Sequence, residues 1–358
     1  MSDSPKEETT ITHAIQRLRG FIYGNWQTSI TYAFAELGIA DQLQESPRTV
    51  EQLARQTKTQ PPALRRFMRC AAHLGFIRED GQPGNYALTG FGRFLCSDHP
   101  YSQRAAARLN GALYRYQPWG HLVKILREGN GEHFSPTFEN GSLDYLADKP
   151  ELLGVFHQAM TDLSVDENSA IAQAYDFSRF QHVIDIGCGQ GTFLHAVLKA
   201  NPHLRGTLFD LESTTDSELL QDTDLAPRLQ RLNGDFFTAV PDHGDLYVLK
   251  NVIHNWPEAQ ALQLLRTVRT AMGSAPSPHK RLLIIEHLIP EGDAFSVAAW
   301  LDVNFMILVN GAERDREGYH TLALQTGFTI TQVIPTASGR SILELAPSPL
   351  SCNTSQPL

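Results

Sequence analysis

The stretch Val183-Ile184-Asp185-Ile186-Gly187-Cys188-Gly189-Gln190-Gly191-Thr192 decides the reading of this chain. Its first four residues are apolar and β-branched apart from one acid, the composition of a buried strand. Glycines at alternate positions then let the backbone turn tightly and approach a ligand with no Cβ in the way. Helical spacing resumes over 192–200, so strand, glycine turn and helix follow one another. Short apolar runs at 182–186, 207–211, 246–251, 282–286, 328–334 and 341–345 read as strands. Helical segments such as 192–200 and 257–272 separate the earlier ones. Alternation of this kind predicts an α/β domain whose sheet is mostly parallel and covered on both faces. Only residues 335–340 lie between the last two runs, which is hairpin spacing, so the sheet is expected to end with one antiparallel strand.

Upstream the pattern differs. Ile15, Leu18, Ile22 and Trp26 suit a first amphipathic helix, and residues 30–37 a second that Gly38 ends. Thr49 and Gln52 form a capping box. A helix over 63–74 follows Gln60-Pro61-Pro62, and short strands at 76–78 and 86–88 flank a Gly- and Pro-containing turn. Helix, turn, helix and a two-stranded wing make a winged-helix pattern. Residues 111–175 are again mostly helical. The organisation read here is a winged-helix region over 11–110, a helical connector over 111–175 and an α/β domain over 176–347. The first ten residues and the tail after about Pro347 read as disordered.

Charge and cysteines narrow the functional classes. Of 30 Lys/Arg and 39 Asp/Glu, 13 and 10 lie in residues 1–110, which leaves 17 against 29, a balance of −12, for the rest. Arg65, Arg66 and Arg69 sit on the would-be recognition helix, but an acidic main body does not suit nucleic acid, and a dimer or scaffold role fits better. Cys70, Cys96, Cys188 and Cys352 show no CxxC pair and no metal spacing, so no metal is expected and the thiols are expected to be free. No segment is long and apolar enough for a membrane span, and the polar N-terminus lacks a signal-peptide core, so a cytoplasmic location is expected.

The glycine turn admits two nucleotide ligands. A dinucleotide fingerprint wants GxGxxG, which would put the third glycine at Thr192; here the pattern is GxGxG. Asp185, two residues before Gly187, is poorly placed beside a pyrophosphate and well suited to the ammonium of a methionine moiety. Asp210, 19 residues beyond Gly191, closes the next strand and can accept hydrogen bonds from both hydroxyls of a ribose. S-adenosylmethionine fits these positions better than NAD.

From about residue 156 to 345 the chain resembles the small-molecule O-methyltransferases of the caffeic acid type. These join a winged-helix dimerisation domain to a Rossmann-like, class I S-adenosylmethionine-dependent domain, so the resemblance covers most of the chain. It rests on Asp185–Gly191, on Phe209-Asp210-Leu211, on Gly234-Asp235-Phe236-Phe237, on Leu249-Lys250-Asn251-Val252-Ile253-His254-Asn255-Trp256, on Ile284-Ile285-Glu286 and on Gly311-Ala312-Glu313-Arg314. It implies cofactor contacts from Asp185, Gly187, Gly189, Gly191, Asp210, Leu211, Asp235, Phe236 and Lys250. Phe156, Met160, Asn255, Phe305 and Asn310 match substrate-lining positions, and Ser164 and Asp162 lie near the expected cofactor entrance. The resemblance further implies a homodimer, a small hydroxylated natural product as acceptor, and no metal.

In-line methyl transfer leaves the protein to orient the reactants and to take up a proton. His254 follows the strand over 246–250, at the end where open α/β sheets keep their ligands, and a neutral imidazole suits a phenolic hydroxyl. Glu313 is expected to accept from the ring nitrogen away from the substrate, with Glu286 assisting. Asn255 stands where many family members have Asp, which removes a negative charge from the site. Three rival readings remain: a non-methylating enzyme on the same frame, a winged-helix regulator sensing a metabolite, and a dehydrogenase. Retention of His254, Glu286 and Glu313 argues against the first.

Overall fold

The structure, a computed structural model, describes residues 5–129, 145–146, 148–211, 222–273 and 279–348, with side chains from Ile11 onward. The tail beyond Pro347 (Ser348 apart), Cys352 and residues 130–144 of the expected connector lie outside these. Contacts divide the chain into two compact units.

One unit runs to Tyr116 and includes Gly154–Asp162. It contains α1 (Pro5–Ile22), α2 (Gly24–Glu36), α3 (Ile39–Leu43), β1 (Arg48–Thr49), α4 (Val50–Gln56), α5 (Pro61–His73), β2 (Ile77–Glu79), β3 (Asn85–Leu88) and α6 (Arg104–Gly111). Helix α1 opens at Pro5, inside the stretch expected to be disordered. The sequence Pro-Lys-Glu-Glu explains this, since proline suits a first helical turn and lysine and glutamate are good helix formers. The capping box is formed: Thr49 Oγ1 accepts from Gln52 N–H, and Gln52 Oε1 from Thr49 N–H. Strands β2 and β3 pair as the expected wing, and β1 adds itself to β3. At two residues β1 is too short to show a period. Phe34, Leu53, Met68 and Tyr86 fill the core of this unit. The apolar positions of α1 and of the start of α2 stay uncovered within the chain, with Leu18 at 58% and Trp26 at 59% exposure.

The other unit holds a seven-stranded sheet in the order β6-β5-β4-β7-β8-β10-β9. Its strands are β4 (His182–Ile186), β5 (Arg205–Asp210), β6 (Leu229–Asn233), β7 (Leu246–Lys250), β8 (Arg281–Glu286), β9 (Phe328–Pro335) and β10 (Ser341–Pro347). Helices α7 (Leu113–Trp119), α8 (Leu122–Glu128) and α9 (Pro150–Ala174) precede it. Within or after it come α10 (Thr192–Ala200), α11 (Glu258–Ala271), α12 (Val297–Leu308) and α13 (Arg316–Gln325). Successive residues of β7 point to opposite layers: Leu246 and Val248 pack with Phe193 and Val197 of α10, Tyr247 and Leu249 with Leu264 of α11 and Tyr319 of α13. Burial on both faces is why these strands read as unbroken apolar runs.

Two departures have a physical cause. Strand β6 is missing from the sequence reading because Leu-Gln-Arg-Leu-Asn is an edge strand, polar on its exposed face. The reversed strand, expected at the end of the sheet, lies one place in from the edge: β10 pairs antiparallel with both β8 and β9. Strand β10 is almost wholly buried and β9 largely is not, so the more apolar strand takes the inner position.

Glu344, in the middle of β10, ties several elements together. It is 5% exposed and accepts from Tyr175 Oη at 2.6 Å, Thr331 Oγ1 at 2.8 Å and Arg281 Nε at 3.2 Å, with Arg179 also in contact. Removing it leaves the buried Tyr175 hydroxyl without its acceptor and the neighbouring arginines without their carboxylate. The Glu344→Ala variant should lose about 2–4 kcal/mol of stability. Urea unfolding measures this, and an unchanged midpoint would count against it.

Candidate functional site

The parallel strands β4, β5, β7 and β8 all end on one side of the sheet, and the residues singled out above gather there. At the end of β4, Gly187, Gly189 and Gly191 have φ of +69°, +53° and +74°, a region other residues rarely enter. Their surroundings differ. A Cβ on Gly187 would lie 2.8 Å from Val252, and one on Gly191 2.8 Å from Leu208, so these two serve close packing. A Cβ on Gly189 would meet open space. The middle glycine is therefore the one that leaves room for a ligand.

Around that space stand polar groups without partners. Asp185 is 2% exposed and its Oδ2 has no hydrogen-bond partner. Burial, with the charge of Asp210 nearby, pushes its carboxyl up to about 7 although Lys250 acts the other way. Such a group calls for a cation. This fits the ammonium of the amino-acid end of S-adenosylmethionine. Asp210 keeps the loop in shape, since its Oδ2 accepts from Gly189 N–H at 2.8 Å and its Oδ1 from Leu211 N–H at 2.7 Å. Its oxygens were expected to face a ribose; here each already holds a backbone donor and has one lone pair to spare. Leu211 is 53% exposed beside this position. Asp235 is exposed and caps its own turn, accepting from Phe237 N–H at 2.8 Å, while Phe236 reaches the edge of the loop 3.7 Å from the place of a Gly187 Cβ.

Lys250 closes β7. Its Nζ is buried, 3.4 Å from Glu167 Oε2 and 3.4 Å from Ser164 Oγ on α9. Ser164 is thus beside the site, whereas Asp162 belongs to the other unit, where it accepts from Gln158.

Immediately after β7 the chain forms the short 3₁₀ turn Ile253–Asn255, and Glu286 at the end of β8 holds its head. Glu286 Oε1 accepts from the N–H groups of Val252 and Ile253 at 3.0 Å and of His254 at 3.5 Å. Its Oε2 lies 2.8 Å from His254 Nδ1. The Nδ1–H points instead at Glu313 Oε1, 2.9 Å away, so Glu313 takes the hydrogen bond and Glu286 acts through charge. Both carboxylates share Nδ1, and no described residue bonds Nε2. His254 is 5% exposed. Burial by itself would favour the neutral ring, but Glu286 and Glu313 outweigh it and raise its pKa to about 9. A general base has to be neutral, whereas the two carboxylates favour the charged imidazolium in the ligand-free protein. The donor atoms of His254, Glu286 and Glu313 lie within 4.8 Å of one another; the ring N–H engages Glu313 Oε1, and three backbone amides engage Glu286 Oε1.

Gly311 makes this packing possible: a Cβ there would fall 2.1 Å from His254 O, and Ala312 N–H donates to that same oxygen at 3.0 Å. Asp302 Oδ1 accepts from Glu313 N–H at 3.0 Å. Phe305 lies against the imidazole, ring centroids 4.1 Å apart. Asn310, at φ +53°, ends α12 in the left-handed conformation that asparagine tolerates. Asn255 spends its Nδ2 on Asn251 O at 3.0 Å. Phe156 and Met160 fall in the other unit, Met160 38% exposed there. The sequence reading missed Glu167, Asn168, Asp302 and Arg340, because none of them sits in a motif; only the fold brings them to the strand ends.

Comparison with known proteins agrees with this arrangement. The O-methyltransferase domain family matches residues 119–329, and the O-methyltransferase dimerisation domain family matches residues 21–98. The phenazine O-methyltransferase PhzM of Lysobacter antibioticus is 35% identical over 328 residues, covering 91% of this chain and 94% of that protein. The crystal structure of LaPhzM superposes with a TM-score of 0.88 at 35% identity over 93% of this chain and 99% of that one. Aclacinomycin 10-hydroxylase RdmB of Streptomyces purpurascens is 32% identical over 311 residues, 83% of this chain and 79% of that protein. With a glycine turn, an unpartnered acid at the first strand end, and family matches over both parts of the chain, this protein belongs to the S-adenosylmethionine-dependent methyltransferases of the O-methyltransferase family.

Proposed function

We propose that the protein methylates a hydroxyl of a flat aromatic natural product, with His254 as general base and Glu313 and Glu286 fixing its tautomer. The observation that carries this reading is the engagement of Nδ1 by two buried carboxylates, which commits the proton to that nitrogen and leaves Nε2 to take another. Asp185, Lys250, Asp210 and the turn at Gly189 would hold the cofactor. When bound, S-adenosylmethionine supplies a methyl carbon activated by a cationic sulfur. Lys250 and Asp185 orient its amino-acid end, and Phe305 offers a face for an aromatic acceptor beside the imidazole.

The basicity of His254 suits this acceptor class. A phenol has a pKa of about 10. A ring raised to about 9 is close enough to receive its proton at small cost. The same shift means that the base works only after losing its own proton, and a sulfonium cation nearby favours that loss. The dimerisation domain supports a homodimer as the working form. The resemblance to PhzM, a phenazine O-methyltransferase, supports an oxygen acceptor on a fused aromatic ring.

The His254→Ala variant should lose roughly 10²-fold or more in turnover, while cofactor affinity measured by calorimetry stays within about twofold. Mass spectrometry of products from a panel of phenols with isotopically labelled cofactor tests the reaction itself. Label on nitrogen only, or hydroxylated product without label, would refute it.

In the cofactor-free protein, NMR titration of His254 should give a midpoint near 9. Because the neutral ring is the active form, activity should climb with rising pH through the alkaline range. Replacing Glu313 by Gln removes one stabilising charge, so the midpoint should move acidward by about 1–3 units. A midpoint unchanged in that variant would exclude Glu313 as the partner.

A further inference from the structure

A second group of buried charges lies beside the base. Arg340, in the turn that joins β9 to β10, is 8% exposed. The turn is tightly made: Thr336 N–H donates to Arg340 O at 2.9 Å, and Gly339, at φ +84°, passes its carbonyl to His287 Nδ1–H at 3.1 Å. Register places Arg340 next to Ser341, the residue opposite Glu286. The guanidinium thus enters the same end of the sheet as Lys250 and His254.

There it meets Glu167. Arg340 Nε is 2.8 Å from Glu167 Oε2, the oxygen that Lys250 Nζ approaches to 3.4 Å. The Arg340 contact lies off the N–H direction, so Nε and Nη1 are both buried without a hydrogen-bond partner. Two cations therefore share one carboxylate. Both hold the Glu167 carboxyl below its usual range, although burial pushes it the other way.

The complementary excess is close by. Asp185 Oδ2 and Asn168 Oδ1 are buried acceptors with no donor. Asn168 is 4% exposed and donates through Nδ2 to Thr192 Oγ1 at 3.0 Å, which fixes it against the start of α10 just after the glycine turn. Unpaired buried groups cost about 1–3 kcal/mol each, so two open N–H groups of one guanidinium and two open acceptors at the same end of the sheet indicate a ligand with both signs.

We propose that Arg340, together with Lys250, receives the α-carboxylate of the cofactor's amino-acid end, while Asp185 and Asn168 receive its ammonium. The inference rests on S-adenosylmethionine as cofactor and adds to it a binding residue supplied by the β9–β10 turn. A guanidinium presents a planar fork that matches a carboxylate, so its contribution depends on that carboxylate being present.

Calorimetry of the full chain with S-adenosylhomocysteine and with its decarboxylated counterpart tests this. For the wild type, the decarboxylated ligand should bind more weakly. The Arg340→Gln variant should bind S-adenosylhomocysteine about 10- to 100-fold more weakly, yet bind the decarboxylated ligand as the wild type does. Arg340→Lys should recover part of the loss. Comparing two ligands on one variant cancels any loss of folded protein. If Arg340→Gln weakens both ligands equally, or neither, Arg340 does not bind the carboxylate and the proposal fails. If the wild type takes up neither ligand, the cofactor reading itself fails, and this one with it.

Discussion

A carboxylate taken out of water is costly by several kcal/mol unless a partner meets it. Asp185, Glu167, Glu286 and Glu313 are all withdrawn from solvent at one end of the sheet, and Lys250, Arg340 and His254 are withdrawn with them. Their matching governs the rest of the structure. It requires that β4, β7 and β8 end together, which the parallel order provides. It also requires α9 to bring Glu167 and the β9–β10 turn to bring Arg340, so the reversed strand beside β8 carries a charge to the site as well as completing the sheet. Where the matching is incomplete, at Asp185 Oδ2 and Arg340 Nη1, the structure is prepared for a ligand.

Much of this could be read in the order of residues. Buried parallel strands announce themselves as apolar runs, and β4, α10 and the glycine turn between them have sharp boundaries because glycine takes up the positive φ required more readily than any other residue. His254 and Glu286 could be found because each stands at the end of, or just after, a recognisable strand, and Glu313 through the family resemblance alone. What escaped was set by long-range geometry. Strand β6 is visible only as a neighbour of β5, and the place of β10 depends on competition with β9 for the interior. The proton on His254 could not be read either. It depends on two carboxylates, 32 and 59 residues away in the chain, converging on one nitrogen.

The two acids that share Nδ1 are unequal in what else they do. Glu313 has one oxygen on the ring and the other unengaged. Glu286 also anchors three amides at the head of the turn that carries the histidine.

That inequality bears on how such chains drift. A descendant that gave up methyl transfer could discard the contact at Glu313 with little harm to its architecture, but losing Glu286 would unpick the turn itself. Of the two positions, 313 is the freer to change without loss of the turn.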